Sequence, residues 1–419
     1  MTTPAPARPA PSTPGAGTTH APDAPDAAGQ RTVGVILNGA SGRMGYRQHL
    51  VRSVLAIRDA GGLLLADGSR AQVRPVLVGR SRAKLAEIAA RHDVADVSTD
   101  LDEVLSDDAF GVYGDFLVTS QRASALRRAI AAGKAVYTEK PTAESYAEAL
   151  EIAELAARAG VKNGVVHDKL FLPGLRKLKR LVDSGFFGEV LSVRGEFGYW
   201  VFEGDWQPAQ RPSWNYRAED GGGIVVDMFP HWNYVLEHLF APVEALYARA
   251  VTHIPSRVDE AGQRYAATAD DAAYGTFELA GGVVAQINSS WATRVHRDEL
   301  VEFHVDGTLG SAVAGLFHCQ AQPRVATPKP VWNPDLPDTI AHREAWTTVP
   351  DNAVNDNGFK VQWEDFLRHV LDEPGHETYA YDLASGARGV RLAELGLRSS
   401  REGRRLVVAD EDAALRSAR

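Results

Sequence analysis

Between residues 32 and 166 the apolar positions alternate between two rhythms. Thr32 to Leu37 is a continuous β-branched and aliphatic run, the pattern of a buried strand, and Leu50, Val54 and Ile57 then recur at helical spacing. The pair repeats: Pro75 to Val78 reads as a strand and Leu85, Ile88 and Ala89 as one face of a helix. Val112 to Thr119 predicts a strand, and Leu126, Ala129 and Ile130 a helix closed by Gly133. Ala135 to Thr138 is a strand, 144–159 a helix, and Val161 to Val166 a last strand. Strands and helices in this order predict a parallel sheet with right-handed crossovers, an α/β Rossmann domain.

The texture changes after about residue 170. Leu175, Leu178 and Leu181 mark a helix, Val190 to Phe197 a strand, and another helix opens near Gly223. Strand-like runs follow near 243–252, 272–279, 283–291 and 300–305, with hairpin signals at Ala280-Gly281-Gly282 and Asp306-Gly307. The segment 322–358, rich in Pro, Asn and Asp, predicts a long loop, and helices near 359–372 and 383–398 close the chain. This half predicts an α+β domain with a large, mostly antiparallel open sheet. Residues 1–30 are Pro/Ala-rich, with no large apolar side chain after Met1, and are expected to be disordered. The expected organisation is a tail at 1–30, a Rossmann domain at 31–160, and a substrate-binding and oligomerisation domain at 161–419.

Composition narrows the chemistry. With 45 basic against 54 acidic residues and a net charge of −9, a broad nucleic-acid footprint is not expected. The single cysteine, Cys319, excludes a disulfide framework and Cys-rich metal sites, and no histidine spacing suggests a metal, so none is proposed. No stretch reaches 18 apolar residues, so no membrane span is expected, and the segment 1–30 lacks the apolar core of a secretory signal. The cytoplasm is the expected compartment.

Gly39, Gly42 and Gly45 lie between a strand and a helix, where glycines let the backbone approach a pyrophosphate at the helix N-terminus. The nucleotide-binding set is read as Gly39, Ser41, Gly42, Arg43, Met44 and Gly45, with Arg80 and Ser81 after the second strand, Thr119, Glu139 and Lys140. NAD sites usually carry a carboxylate after the second strand; here the run is Val78-Gly79-Arg80-Ser81-Arg82. An arginine and a hydroxyl suit a 2′-phosphate, so NADP is favoured over NAD. Asp59 or Asp67, beside the extra segment 60–72, is the alternative ribose partner.

Two motifs bear on catalysis: Tyr137-Thr138-Glu139-Lys140-Pro141, after a strand, and Gly221-Gly222-Gly223 leading to Asp227 and His231. Asp227 and His231 are four apart and share a helix face, where a carboxylate can orient an imidazole base. Pro230 between them predicts a kink or a late helix start. With Ser289-Ser290-Trp291 and Gly307-Thr308-Leu309-Gly310, this ordered set resembles the Gfo/Idh/MocA family of oxidoreductases from residue 32 to about 400. The resemblance implies hydride transfer to or from a nicotinamide, with Lys140 bonding substrate, His231 as general base and Asp227 binding substrate and orienting the site. Departures are Thr119-Ser120-Gln121-Arg122-Ala123-Ser124 after the fourth strand, His167-Asp168-Lys169 where an arginine region is usual, and Tyr234 three residues after His231. Lys169 is expected to take over the arginine's contact.

Seven aromatics fall between Phe197 and Tyr216, a density that suits either sugar stacking or a subunit interface. From this region Trp214, Tyr216 and Arg217 join Lys169 as candidate substrate residues. The expected activity is oxidation of a secondary hydroxyl of a sugar, sugar acid, cyclitol or glycoside. The chain is expected to act as a homodimer or homotetramer. The alternatives are a glycoside hydrolase or lyase that uses bound NAD transiently, and a nucleotide-binding regulator.

Overall fold

The computed structural model describes residues 31–354 and 356–417; the segment 1–30, expected to be disordered, lies outside them. Strand β1 (Thr32–Asn38) is buried at every position after the first, which places it inside a sheet covered on both faces. The glycine turn leads into a π-helix, Gly45–Leu55, which tightens into the α-helical turn α1 (Ala56–Asp59). There follow β2 (Leu63–Leu64), β3 (Arg70–Val78), α2 (Arg82–His92), β4 (Asp96–Ser98), α3 (Leu101–Leu105), β5 (Val112–Asp115), α4 (Thr119–Ala131), β6 (Ala135–Thr138), α5 (Tyr146–Ala159) and β7 (Asn163–Val165). The parallel order is β4–β3–β1–β5–β6–β7, with β2 antiparallel to the first residues of β3. This is the doubly wound Rossmann order. The sheet takes its last strand from beyond residue 160, where the second domain was expected to start.

Two expectations are corrected here. Strand β5 ends at Asp115, and Thr119 opens α4 instead of closing the strand. The buried Asp115 causes the turn: its Oδ1 accepts from Leu117 N at 3.2 Å and from Arg122 Nε at 3.2 Å, folding the chain back at once. The segment 60–72 is the turn of the β2–β3 hairpin. Asp67 bonds Ser69 there and Asp59 pairs with Arg58. Both lie at the start of β3, the opposite end from Gly79-Arg80, so neither is a ribose partner.

The second unit begins with α6 (Pro173–Asp183), β8 (Val190–Gly198) and α7 (Ile224–Leu239). It continues through β9 (Val243–Val251), the small hairpin β10 (Ser256–Val258) and β11 (Arg264–Ala266), then β12 (Ala272–Leu279), β13 (Val284–Ser290), β14 (Val301–Gly307), β15 (Gly310–Ala314), β16 (Cys319–Pro323) and β17 (Thr347–Thr348). The chain closes with α8 (Gly358–Val370), α9 (Leu383–Glu402), β18 (Leu406–Val407) and α10 (Val408–Ser417), so the last helix expected is not the last present. The sheet order is β17–β16–β15–β14–β8–β13–β12–β9–β18, antiparallel except for β8 beside β13. Helix α7 starts at Ile224, ahead of the proline, and continues through Pro230, so it does not start late. Packing explains this: Phe229, Trp232, Val235 and Leu236 are fully buried, and Gly389 of α9 brings that helix against Pro230.

Helices α8 and α9 return to the first unit. Trp363, Phe366 and Leu367 pack into its core with Leu50, Phe116 and Tyr137, while Leu383, Ala387 and Val390 join Ile152 and Ala156. The Rossmann core is therefore completed by residues two hundred positions downstream of its last strand (β7 ends at Val165, Trp363 lies on α8). Trp363→Ala, which empties a fully buried site, is expected to destabilise the protein by about 3–5 kcal/mol. Chemical denaturation of the wild type and the variant measures this, and a loss under about 1 kcal/mol would contradict it.

Candidate active site

The β1 turn is shaped by close backbone approach. Gly39 takes φ +87°, and a Cβ there would stand 2.8 Å from the Phe116 carbonyl oxygen. A Cβ on Gly45 would stand 2.3 Å from the Gly39 carbonyl oxygen, so a side chain is excluded from both. Ser41, Gly42 and Arg43 are exposed, Met44 less so. Gly42 N donates to Gly39 O and Tyr46 N to Gly42 O, but no side chain caps the π-helix and its first turn holds no acid, so the positive end of the helix is not countered. The start of α4 at Thr119 is likewise free of a side-chain cap and of acids. These residues fit the pyrophosphate of a dinucleotide. Arg80 is exposed beyond β3, and the Ser81 hydroxyl oxygen accepts from Lys84 N at 3.4 Å as the cap of α2. Asp100, the next carboxylate near that strand end, accepts from Asp102 N and Glu103 N.

Glu139 and Lys140 follow β6 at the same sheet edge. Glu139 is buried and accepts from His49 Nε2 at 2.9 Å and from Lys140 N at 3.2 Å. The indole of Trp363 donates to His49 Nδ1 at 3.1 Å, which fixes the proton on Nε2, facing Glu139. Burial pushes the Glu139 carboxyl up, but His49, Arg122 and Lys140 outweigh it and hold the group below the ordinary value. Lys140 Nζ donates to Asp227 Oδ1 at 2.7 Å and to the Asp227 carbonyl at 2.9 Å. Arg211 Nη1 donates to Asp227 Oδ2 at 3.1 Å while its guanidinium lies 4.2 Å from the centre of the Trp291 ring and reaches Tyr199 Oη. Burial alone would raise the Asp227 carboxyl; the two cations reverse that and hold it far below the usual carboxylate range. Its side chain keeps 30% exposure, so it sits at the lip of the site.

His231 does not contact this carboxylate. Its Nδ1 lies 2.7 Å from Tyr234 Oη and its Nε2 3.3 Å from Lys169 Nζ. The expected pairing of Asp227 with His231 is thus corrected: the shared helix face is real, but Asp227 is held by Lys140 and Arg211. Burial, then Lys169, Lys140 and His167, keep the His231 imidazolium disfavoured, with a pKa well below 6.5. The imidazole is therefore neutral at pH 7.

The structure joins Lys140, Asp227, His231 and Lys169 into one cluster. It places the other three candidates elsewhere. Trp214 is half exposed, Tyr216 is buried under the Arg257 guanidinium, 3.8 Å from its ring centre, and Arg217 lies over Tyr265 at 4.8 Å. Sequence reasoning missed His49, Arg211 and the pairing of Tyr234 with Asp168. Tyr234 and Asp168 both stood at positions where the family pattern was broken; Arg211 had no local signal.

An NAD-binding oxidoreductase is the class this architecture defines. Residues 39–167 match the oxidoreductase family with an NAD-binding Rossmann fold, and residues 175–313 match the Gfo/Idh/MocA C-terminal domain. The chain belongs to the Gfo/Idh/MocA oxidoreductases. It is 62% identical over 376 residues to a D-xylose dehydrogenase of Paenarthrobacter nicotinovorans, covering 89% of this chain and 96% of that one. A 1,5-anhydro-D-fructose reductase of Ensifer adhaerens is 26% identical across 81% of this chain and 92% of its own length. A levoglucosan dehydrogenase solved with NADH and levoglucosan shares the fold, with a TM-score of 0.72 at 19% identity over 90% of this chain and 100% of that one.

Asp227 has a folded pKa below its unfolded value of about 3.9, so its charge stabilises the fold above that pH and the contribution is lost as pH falls through the folded value. The melting-temperature gap between wild type and Asp227→Asn is expected to be constant from about pH 5 to 7 and to narrow below about pH 4. A gap unchanged down to about pH 3 would show that Lys140 and Arg211 do not hold the charge.

Proposed function

We propose that this protein is a sugar dehydrogenase that oxidises a ring hydroxyl of D-xylose or a similar aldopyranose. The observation that carries the reading is the meeting of Lys140 and His231 at the sheet edge that bears the open glycine turn. The 62% identity to a D-xylose dehydrogenase supports the substrate class. When bound, a nicotinamide dinucleotide supplies the hydride acceptor, and the residues of the Gly39–Gly45 turn with Thr119 would hold it.

An ammonium has three N–H donors, and Lys140 commits two of them to Asp227. The third is left for a substrate oxygen, whose developing negative charge it stabilises. Asp227 keeps that ammonium in place and offers its exposed edge to a neighbouring sugar hydroxyl. His231 takes the hydroxyl proton, as its neutral state at pH 7 allows. Lys169, next to the base, extends the proposed substrate contacts, while Trp214, Tyr216 and Arg217 lie away from the cluster and take no part in them. Exposed Arg80, with the Ser81 hydroxyl next to it, supports NADP over NAD.

The outer face of the open sheet presents Tyr247, Tyr274 and Val284, each more than two-fifths exposed, and we read it as the contact between copies in a homodimer or homotetramer. No described helix is long and apolar enough to cross a membrane, and one cysteine suits a reducing cytoplasm.

Lys140→Met and His231→Ala are each expected to lower kcat at least about a hundredfold with D-xylose, followed by absorbance of the reduced cofactor. Turnover like wild type in both would overturn the assignment. The low His231 value puts the acid limb of the kcat/KM profile below pH 6.5, and a limb above it would contradict a base buried among cations. Arg80→Ala should weaken NADP about tenfold or more and leave NAD nearly unchanged; equal loss for both would remove the 2′-phosphate contact.

A further inference from the structure

His231 has two ring nitrogens, and only the one facing the substrate can act as base. The contacts around the ring decide which one is bare. Lys169 Nζ, 3.3 Å from Nε2, has donors only, so Nε2 must accept. A neutral imidazole then carries its proton on Nδ1, which donates to Tyr234 Oη at 2.7 Å. With its oxygen accepting, the Tyr234 hydroxyl turns its own proton to Asp168 Oδ1 across a longer 3.4 Å contact. Burial, then Asp168, raises the Tyr234 phenol well above its ordinary value, so it stays a donor. The Tyr234 ring is fixed by stacking on His167, with centroids 4.2 Å apart. Asp168 heads the short turn Asp168–Phe171 that also carries Lys169, and its carboxylate lies 3.6 Å from that ammonium.

We propose that Tyr234 and Asp168 are positioning residues that hold His231 with its proton on Nδ1 and Nε2 unprotonated, so that the substrate hydroxyl can take the place of Lys169 at that lone pair. The inference rests on His231 being the general base. The substrate hydroxyl gives its proton to Nε2, the ring becomes imidazolium, and Nδ1 keeps the proton it had. Tyr234 and Asp168 then stabilise the new charge through the Nδ1–H bond, with no proton passing to the carboxylate. The charged and titratable groups around the ring are Lys169 and, through Tyr234, Asp168 from the turn after β7, Lys140 from the loop after β6, and His167. The first two fix the orientation, while the lysines and the histidine oppose protonation.

Tyr234→Phe keeps the ring stack and removes the hydroxyl; Asp168→Asn removes the charge behind it. Each is expected to lower kcat about tenfold to a hundredfold, the worth of a hydrogen bond to a group that becomes charged. KM for the sugar should stay within about threefold, because neither residue is placed on the substrate. The acid limb should move about one pH unit lower in both, since the imidazolium loses its support. The double variant should be no worse than Tyr234→Phe alone, because Asp168 acts through that hydroxyl. Nitrogen NMR of labelled His231 in the wild type should place the proton on Nδ1. A proton on Nε2, or an unchanged kcat and acid limb in both variants beside a disabled His231→Ala, overturns the inference and leaves the base standing. An active His231→Ala overturns the base itself. If Tyr234→Phe does not fold, Asp168→Asn and the wild-type spectrum decide.

Discussion

Asp227 is held between two cations that arrive from different parts of the chain. Lys140 comes from the loop after β6 in the Rossmann unit, Arg211 from the segment between β8 and α7, and Asp227 from α7 itself. One carboxylate thereby ties the Rossmann unit to the second unit at the proposed active site. Removing the charge would leave two cations facing each other with little water, which is worse than never having built the pair. The contact also sets the reactivity next door. Lys140 is one of the cations that disfavour the His231 imidazolium, and Asp227 holds its ammonium in place. Structure and base strength depend on the same three residues.

The balance extends outward. Asp227 meets the side chains of Lys140 and Arg211, Asp168 lies beside Lys169, and Glu139 accepts from the Lys140 backbone N–H. Glu139 is pinned from behind by His49, whose orientation depends on Trp363. The helix α8 thus reaches the backbone of Lys140 through an indole, an imidazole and a carboxylate. It completes the Rossmann core and also steadies the residue that faces substrate.

The parts of this arrangement that were legible in the sequence are those fixed by local spacing. Glycines three apart after an aliphatic run can only make a tight turn into a helix, and residues four apart on a helix share a face whatever surrounds them. What spacing cannot fix is the partner. His49 and Trp363 are 314 residues apart, and no pattern along the chain links them. Asp227 and His231 were read as a pair because they are near in sequence, yet each binds a group from another element. The strands β15 to β17 were passed over for a related reason: two to five residues carry little periodicity, and β17 is ordered by its pairing with β16.

Pro230 shows how a local rule was overridden and what the override supplies. A proline inside a helix lacks the N–H that would bond the carbonyl four residues back, here Val226, and its ring crowds that carbonyl. An isolated helix would break there. Here burial on all sides and the close approach of α9 at Gly389 hold the helix together. The crowding eases where carbonyls tilt outward, as they do in bent helices. The next carbonyl in line is that of Asp227, and it accepts from Lys140 Nζ at 2.9 Å. The carbonyl of Val226, which the proline leaves without its helical partner, therefore lies one residue from the point where the backbone becomes a ligand for Lys140. That lysine is then held by a side chain and a main chain from the same residue. Such a grip fixes the ammonium and suits the role proposed for its third donor.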